Sequence, residues 1–98
     1  MRSVVISRRA RADLRDIGDF IAVDDPTRAV SFVTELRERC RSLSHTPFQG
    51  RPTPEIAAEV RVLVFRSYLI LHRVGDDVVL IDRVIHSARD RSGLLPYE

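Results

Sequence analysis

The segment from Arg61 to Asp90, RVLVFRSYLILHRVGDDVVLIDRVIHSARD, sets the tightest limit on what this chain can become. It holds three short runs rich in β-branched and aliphatic residues, at about 61–66, 68–74 and 78–85. The breaks between them are too short for anything but hairpin turns: Gly75-Asp76-Asp77 is a clear one, Arg66-Ser67 a tighter one. The runs are apolar at both odd and even positions. Val62 and Val64 face one way and Leu63 and Phe65 the other; Leu69 and Leu71 oppose Tyr68 and Ile70; Val79, Ile81 and Ile85 oppose Val78, Leu80 and Val84. An antiparallel sheet with one wet face alternates apolar and polar residues, so this sheet asks for cover on both faces. A chain of 98 residues has material for only one modest core.

Part of that cover lies upstream. Residues 2–6 make a short strand, and Ser7 then fits the N-cap of a helix over about 8–22. Ala10, Leu14, Ile17 and Ile21 form one apolar stripe, with Phe20 beside it. Gly18 inside the helix either admits a second helix closely or is a tolerated surface glycine. Asp25 fits a second N-cap, with Pro26 at the first helical position, where its missing N–H is no loss. That helix runs to about Leu43 on a stripe of Ala29, Val33, Leu36, Cys40 and Leu43, widened by Phe32 and Val30. Cys40 therefore reads as a small core residue. His45 to Pro54 is a proline-rich loop that Phe48 is expected to anchor, and 55–59 is a candidate helical turn.

The fold class is α+β: β-α-α-β-β-β, a mostly antiparallel sheet with a two-helix hairpin on one face, as a single domain over residues 1–98. Two helices cover one face. The other needs the C-terminal tail, the proline-rich loop or a partner, and an uncovered apolar patch of that size is normally an interaction site.

Composition narrows the function. A hydrophobic share of 44% with 31% charged residues fits a soluble globular domain, and neither a secretory leader nor a membrane span is evident, so the expected location is cytoplasmic. One cysteine excludes an internal disulfide and a cysteine zinc site; no metal or cofactor is expected. All 16 basic residues are arginine, which removes lysine from any mechanism, and arginine cannot serve as a base near neutral pH.

No phosphate loop, metal-binding histidine pair or nucleophile elbow is present. His45 reads as a solvated turn residue, and His72 as a hydrogen-bonded, half-buried strand residue. His86 closes the last strand beside Ser87 and Arg89 and is the one histidine worth testing for function, with the fixing of the strand end as its simpler role. Arg61, Arg66, Arg73, Arg83 and Arg89 would make a cationic surface for phosphate or carboxylate if they converge. Pairing with Asp76, Asp77, Asp82 and Asp90 is the alternative. Tyr97 is a possible proton donor or a frayed tail residue.

Taken in order, Gly50-Arg51-Pro52-x-Pro54-Glu55, Val60-Arg61, Tyr68-Leu69-Ile70 with Arg73-Val74, and Arg83-Val84-Ile85-His86-x-Ala88-Arg89-Asp90 resemble the ParE branch of the RelE/ParE toxin superfamily. The start agrees: a strand ending in Ser7, then Ala10-x-Ala12-Asp13-Leu14-x-x-Ile17, then Asp25-Pro26 and Phe32-Val33. The resemblance implies the toxin of a bacterial type II toxin–antitoxin system, neutralised by a ParD-like antitoxin in a hetero-oligomer, with DNA gyrase as its target. It implies no direct DNA binding by the toxin alone. It also implies that Arg61, Arg66, Tyr68, Ile70, Arg73, Arg83, His86 and Arg89 are candidates for contact with antitoxin or target. RelE-like relatives instead cut messenger RNA on the ribosome; for that chemistry the candidates here would be Arg61, Arg66, His86, Arg89 and Tyr97. The ParE-like ending and the lack of lysine leave no catalytic set assigned.

Overall fold

The computed structural model describes residues 1–88. In chain order these form β1 (Ser3–Ile6), α1 (Arg8–Ala22), α2 (Pro26–Arg41), a 3-10 turn (Ser42–Ser44), β2 (Arg51–Pro52), β3 (Arg61–Phe65), β4 (Tyr68–Val74) and β5 (Val78–His86). The strands make one sheet in the order β1-β5-β4-β3-β2, parallel between β1 and β5 and antiparallel elsewhere. The two-residue strand β2 has no counterpart in the sequence reading, since Arg51-Pro52 is too short to show a period.

Both helices begin as their caps dictate. The Ser7 hydroxyl accepts from the Ala10 N–H and the Asp25 carboxylate from the Arg28 N–H, each at 3.0 Å. Ser7 also donates to the Asp82 carbonyl, which ties the start of α1 to β5. Ala10, Leu14 and Ile17 of α1, with Phe32, Leu36 and Cys40 of α2 and Leu43, bury themselves against Leu63, Ile70, Val79, Ile81 and Val84. Burial pushes the Cys40 thiol up to about 11, as befits a core side chain. A Cβ built on Gly18 would lie 3.3 Å from Val33 Cγ2, so this glycine does admit the second helix closely. Val30 and Phe20 do not join the core; they are 71% and 75% exposed.

The alternation in β5 is broken. Leu71 pairs with Arg83 but His72 pairs with Ile81, so Asp82 is the extra residue of a bulge. A bulge reverses side-chain parity beyond it. Val84 therefore joins Val79 and Ile81 under the helices, while Ile85 turns to the far face, the opposite of the parity read from the sequence.

The far face carries Val62, Leu69, Leu71 and Ile85, and these pack with Ile56, Ala57 and Val60. The segment after the proline-rich loop thus folds back over the sheet and covers much of that face from within, leaving Val64 exposed. Residues 55–59 form turns and no helix. Phe48 does not anchor the loop either: it is 59% exposed. The anchors are Pro47, whose carbonyl lies 3.2 Å from His72 Nε2, and Thr53, whose hydroxyl donates to the Val60 carbonyl at 2.9 Å. His72 is fully buried, not half-buried, and its desolvation lowers its pKa.

Candidate functional site

The hairpin turn at Arg66-Ser67 and the end of β5 meet at one end of the sheet, because the register sets Phe65 against Tyr68 and Tyr68 against His86. Arg66 takes a positive φ of 53°, which lets two strands turn in two residues. Its guanidinium reaches across to α2, where Glu35 accepts from it at 3.1 Å and from Arg28 at 2.8 Å. These bonds, Arg28's first, hold the Glu35 carboxyl below the usual range. Beneath them Phe32 packs tilted against Phe65 and Tyr68, with centroids 5.8 and 5.6 Å apart, and Tyr68 meets the His86 ring edge-on at 5.2 Å. Burial raises the Tyr68 pKa, so the phenol stays protonated at neutral pH. His86 Nδ1 accepts from the Ala88 N–H at 3.1 Å, which fixes the strand end.

The remaining candidates are spread apart. Arg61 pairs in register with His72, five strand positions before Arg66, or about 16 Å away at 3.3 Å per residue. Its Nη2 donates to the Phe48 and Gly50 carbonyls. Arg73 is held in a fork by Asp82, at 2.9 and 3.0 Å. Arg83, nearly buried, is held in a fork by Asp13 of α1, at 2.8 and 2.9 Å, and the same carboxylate accepts from the Val84 N–H. Ile70 lies in the core, fully enclosed. The structure therefore unites Arg66, Tyr68 and His86 but keeps Arg61, Arg73 and Arg83 in separate structural duties. Of the four aspartates expected to pair with the sheet arginines, only Asp82 does so among the described residues; Asp13 and Glu35 supply the other carboxylates. Arg89, Asp90 and Tyr97 lie outside the described residues.

Two hollows flank α1 on opposite sides; the apolar stripe in the sequence marks only the core line of the helix and does not signal them. One is a groove of about 690 Å³ along the joint with α2. Its floor is Gly18, Ala22, Ala29 and Val33, and Arg11, Arg15 and Arg37 stand around it with a single carboxylate, Asp19. The other is a cleft of about 280 Å³ towards the sheet end, lined by Asp13, Asp16, Ile17, Phe20, Tyr68, Val84, Ile85 and His86. Among the described residues no group of three or more metal-ligating side chains comes together, and no helix is long and apolar enough to cross a membrane.

Comparison with known proteins gives this geometry a context. A family model described as the ParE toxin of the type II toxin–antitoxin system parDE matches residues 4–91. Toxin RelE2 of Caulobacter vibrioides is 35% identical over 89 residues, spanning 91% of this chain and 99% of that protein. Toxin ParE1 of the same organism is 30% identical over 89 residues, spanning 90% and 92%. A solved chromosomal ParDE system from P. aeruginosa superposes with a TM-score of 0.78 at 28% identity, over 88% of this chain and 96% of its counterpart. The toxin–antitoxin complex RelBE2 of Mycobacterium tuberculosis gives 0.67 at 25% identity, over 87% and 96%.

Proposed function

Because this chain belongs to the ParE toxins of type II toxin–antitoxin systems, we propose that it acts by binding DNA gyrase and that a ParD-like antitoxin holds it inactive in a heteromeric cytoplasmic complex. The whole chain, residues 1–98, is one toxin domain in this reading. The observation that carries it is the engagement of the sheet arginines. Cleavage of a phosphodiester needs a base, an acid and cations converging on one phosphate. Here Arg61 is held by loop carbonyls, Arg66 by Glu35, Arg73 by Asp82 and Arg83 by Asp13, on different parts of the molecule. A binding protein needs no such convergence.

The groove between α1 and α2 suits the antitoxin. Its floor of small residues lets a helix approach closely, and Arg11, Arg15 and Arg37 favour an amphipathic segment bearing carboxylates. The exposed apolar surface near it includes Val30 of α2, which supports the helical hairpin as the antitoxin's seat.

A second reading, a ribosome-dependent endoribonuclease, draws on the relative named Toxin RelE2 and on the shared position of Arg66, Tyr68 and His86. One experiment separates the two. Purified toxin is incubated with gyrase and plasmid, and in parallel with translating ribosomes. Lost supercoiling or accumulated cleaved DNA, with messenger intact, is the expected result. Codon-specific cuts in the ribosomal A site that vanish with His86→Ala or Arg89→Ala overturn it.

A further inference from the structure

Among the described residues, three of the four phenylalanines carry an arginine over the ring. Arg2 and Arg61 lie over the Phe48 ring at 5.4 and 5.7 Å, Arg28 over Phe32 at 5.2 Å, and Arg66 over Phe65 at 5.4 Å. The chain has four phenylalanines, and over Phe20 no arginine of the described residues lies. Phe20 sits on the cleft side of α1, largely exposed, at the rim of the hollow that also holds Tyr68. One turn earlier on the same flank stands Asp16, exposed and in no ion pair among the described residues. An exposed aromatic ring beside an exposed carboxylate, at a cleft also lined by Tyr68, is complementary to a guanidinium on an aliphatic stem.

We propose that this cleft receives an arginine side chain of the protein on which the toxin acts. Its methylenes lie along the cleft beside Tyr68, its guanidinium plane stacks on Phe20, and its N–H groups donate to Asp16. Arginine fits better than lysine because the planar, weakly hydrated guanidinium stacks on a ring while keeping its in-plane donors for a carboxylate. The antitoxin is the poorer occupant. Its groove lies on the opposite flank of α1, where Arg11, Arg15 and Arg37 call for carboxylates rather than cations. The identity of the partner rests on the toxin reading above; the chemistry of the cleft does not.

The test has two arms. In the first, the isotope-labelled chain is titrated with acetyl-Leu-Arg-Leu-amide and followed by NMR, with the neutral citrulline peptide as isosteric control. The expected shifts are confined to Asp16, Phe20, Tyr68 and their neighbours. The citrulline peptide binds roughly threefold or more weakly, and Phe20→Ala or Asp16→Asn abolishes the arginine preference. Equal response to both peptides overturns the proposal, as do shifts centred elsewhere. It is also overturned if the Phe20 and Tyr68 signals of the free chain move on Arg89→Ala or Arg91→Ala, which gives the cleft to the chain's own arginines. In the second arm, Phe20→Ala and Asp16→Asn are expressed in cells without antitoxin. Both residues are exposed, so the variants fold. They are expected to bind antitoxin as the parent does and to lose growth inhibition at least tenfold; full growth inhibition by both overturns the proposed partner. If the parent chain itself leaves growth unchanged, the toxin reading falls, and the peptide titration still decides the cleft.

Discussion

His72 should make the stability of this protein fall with acid in a window where few other groups titrate. The ring is fully buried, its Nε2 faces the Pro47 carbonyl at 3.2 Å, and Arg61 is its cross-strand neighbour. Protonating it would bury a cation, so desolvation above all lowers its pKa, with Arg61 nearby acting in the same direction. In the unfolded chain the same imidazole takes a proton below about pH 6.5. Unfolding is then accompanied by proton uptake, and stability is complete above that pH and lost below it. The slope approaches about 1.4 kcal/mol per pH unit once the unfolded ring is fully protonated. A ring kept neutral over the whole range from pH 7 to pH 5 would set the upper bound of that loss, about 2 kcal/mol. Glu35, lowered from 4.5, acts in the same direction but at more acid pH. Urea unfolding at pH 7, 6 and 5 measures the slope, with His72→Gln as the reference because its amide can still donate to Pro47 but does not titrate. His45 and His86 are common to both chains and cancel. Equal slopes for parent and variant between pH 5 and 7 would refute the reasoning.

Three further perturbations test the packing and the groove. Asp13→Ala removes the carboxylate that holds Arg83 and the Val84 N–H at the centre of the fold; urea midpoints should report a loss of about 3 kcal/mol, and a loss below about 1 kcal/mol would demote the pair to a surface contact. Gly18→Leu adds side-chain atoms where a Cβ alone already approaches Val33 at 3.3 Å; thermal melts should show destabilisation of about 1–3 kcal/mol, and an unchanged or higher Tm would contradict the close helix approach. Arg37→Glu in the groove should weaken antitoxin binding at least tenfold by calorimetry, whereas Arg9→Glu, which does not line the groove, should leave it unaltered; equal effects would move the antitoxin elsewhere.

Much of the fold was legible because its determinants are local. Ser7 and Asp25-Pro26 mark both helix starts to the residue, since capping depends on groups three positions apart. Gly75-Asp76-Asp77 places the last hairpin for the same reason. The far-face error has a non-local cause. Every parity call in β5 after Ile81 depends on Asp82 being an extra residue, and a bulge is a property of the pairing of two strands. A charged Asp82-Arg83 step inside an apolar run was the visible trace of it. Likewise Ile56 and Val60 sit among prolines and glutamates with no period to mark them, yet they cover much of the sheet's far face. The arginines were harder still: Arg83 finds its carboxylate 70 residues away in α1, and Arg66 finds its own 31 residues away in α2.

Helix α1 shows why the stripe alone under-described the site. At about 100° per residue, the core line Ala10, Leu14, Ile17 leaves two flanks about half a turn apart. Arg11, Arg15 and Ala22 fall on the groove side, and Asp13, Asp16 and Phe20 on the cleft side. Arginine and aspartate at i and i+2 thus cannot form a helix-surface pair. The separation sets a wall beside α2 in which Arg11 and Arg15 outnumber Asp19, and a carboxylate wall beside the sheet end, on a single fifteen-residue helix. One carboxylate of that wall, Asp13, is spent on Arg83, and in being spent it fixes the floor of the cleft by gripping the Val84 backbone. Asp16 and Phe20 are left to face outward on a rigid base. A molecule so divided can present opposite charge to two partners without either displacing the other. A double-mutant comparison tests this: Arg37→Glu and Asp16→Asn should affect antitoxin binding and growth inhibition independently. Coupling of more than about 0.5 kcal/mol in antitoxin affinity would mean the two flanks are not separate sites.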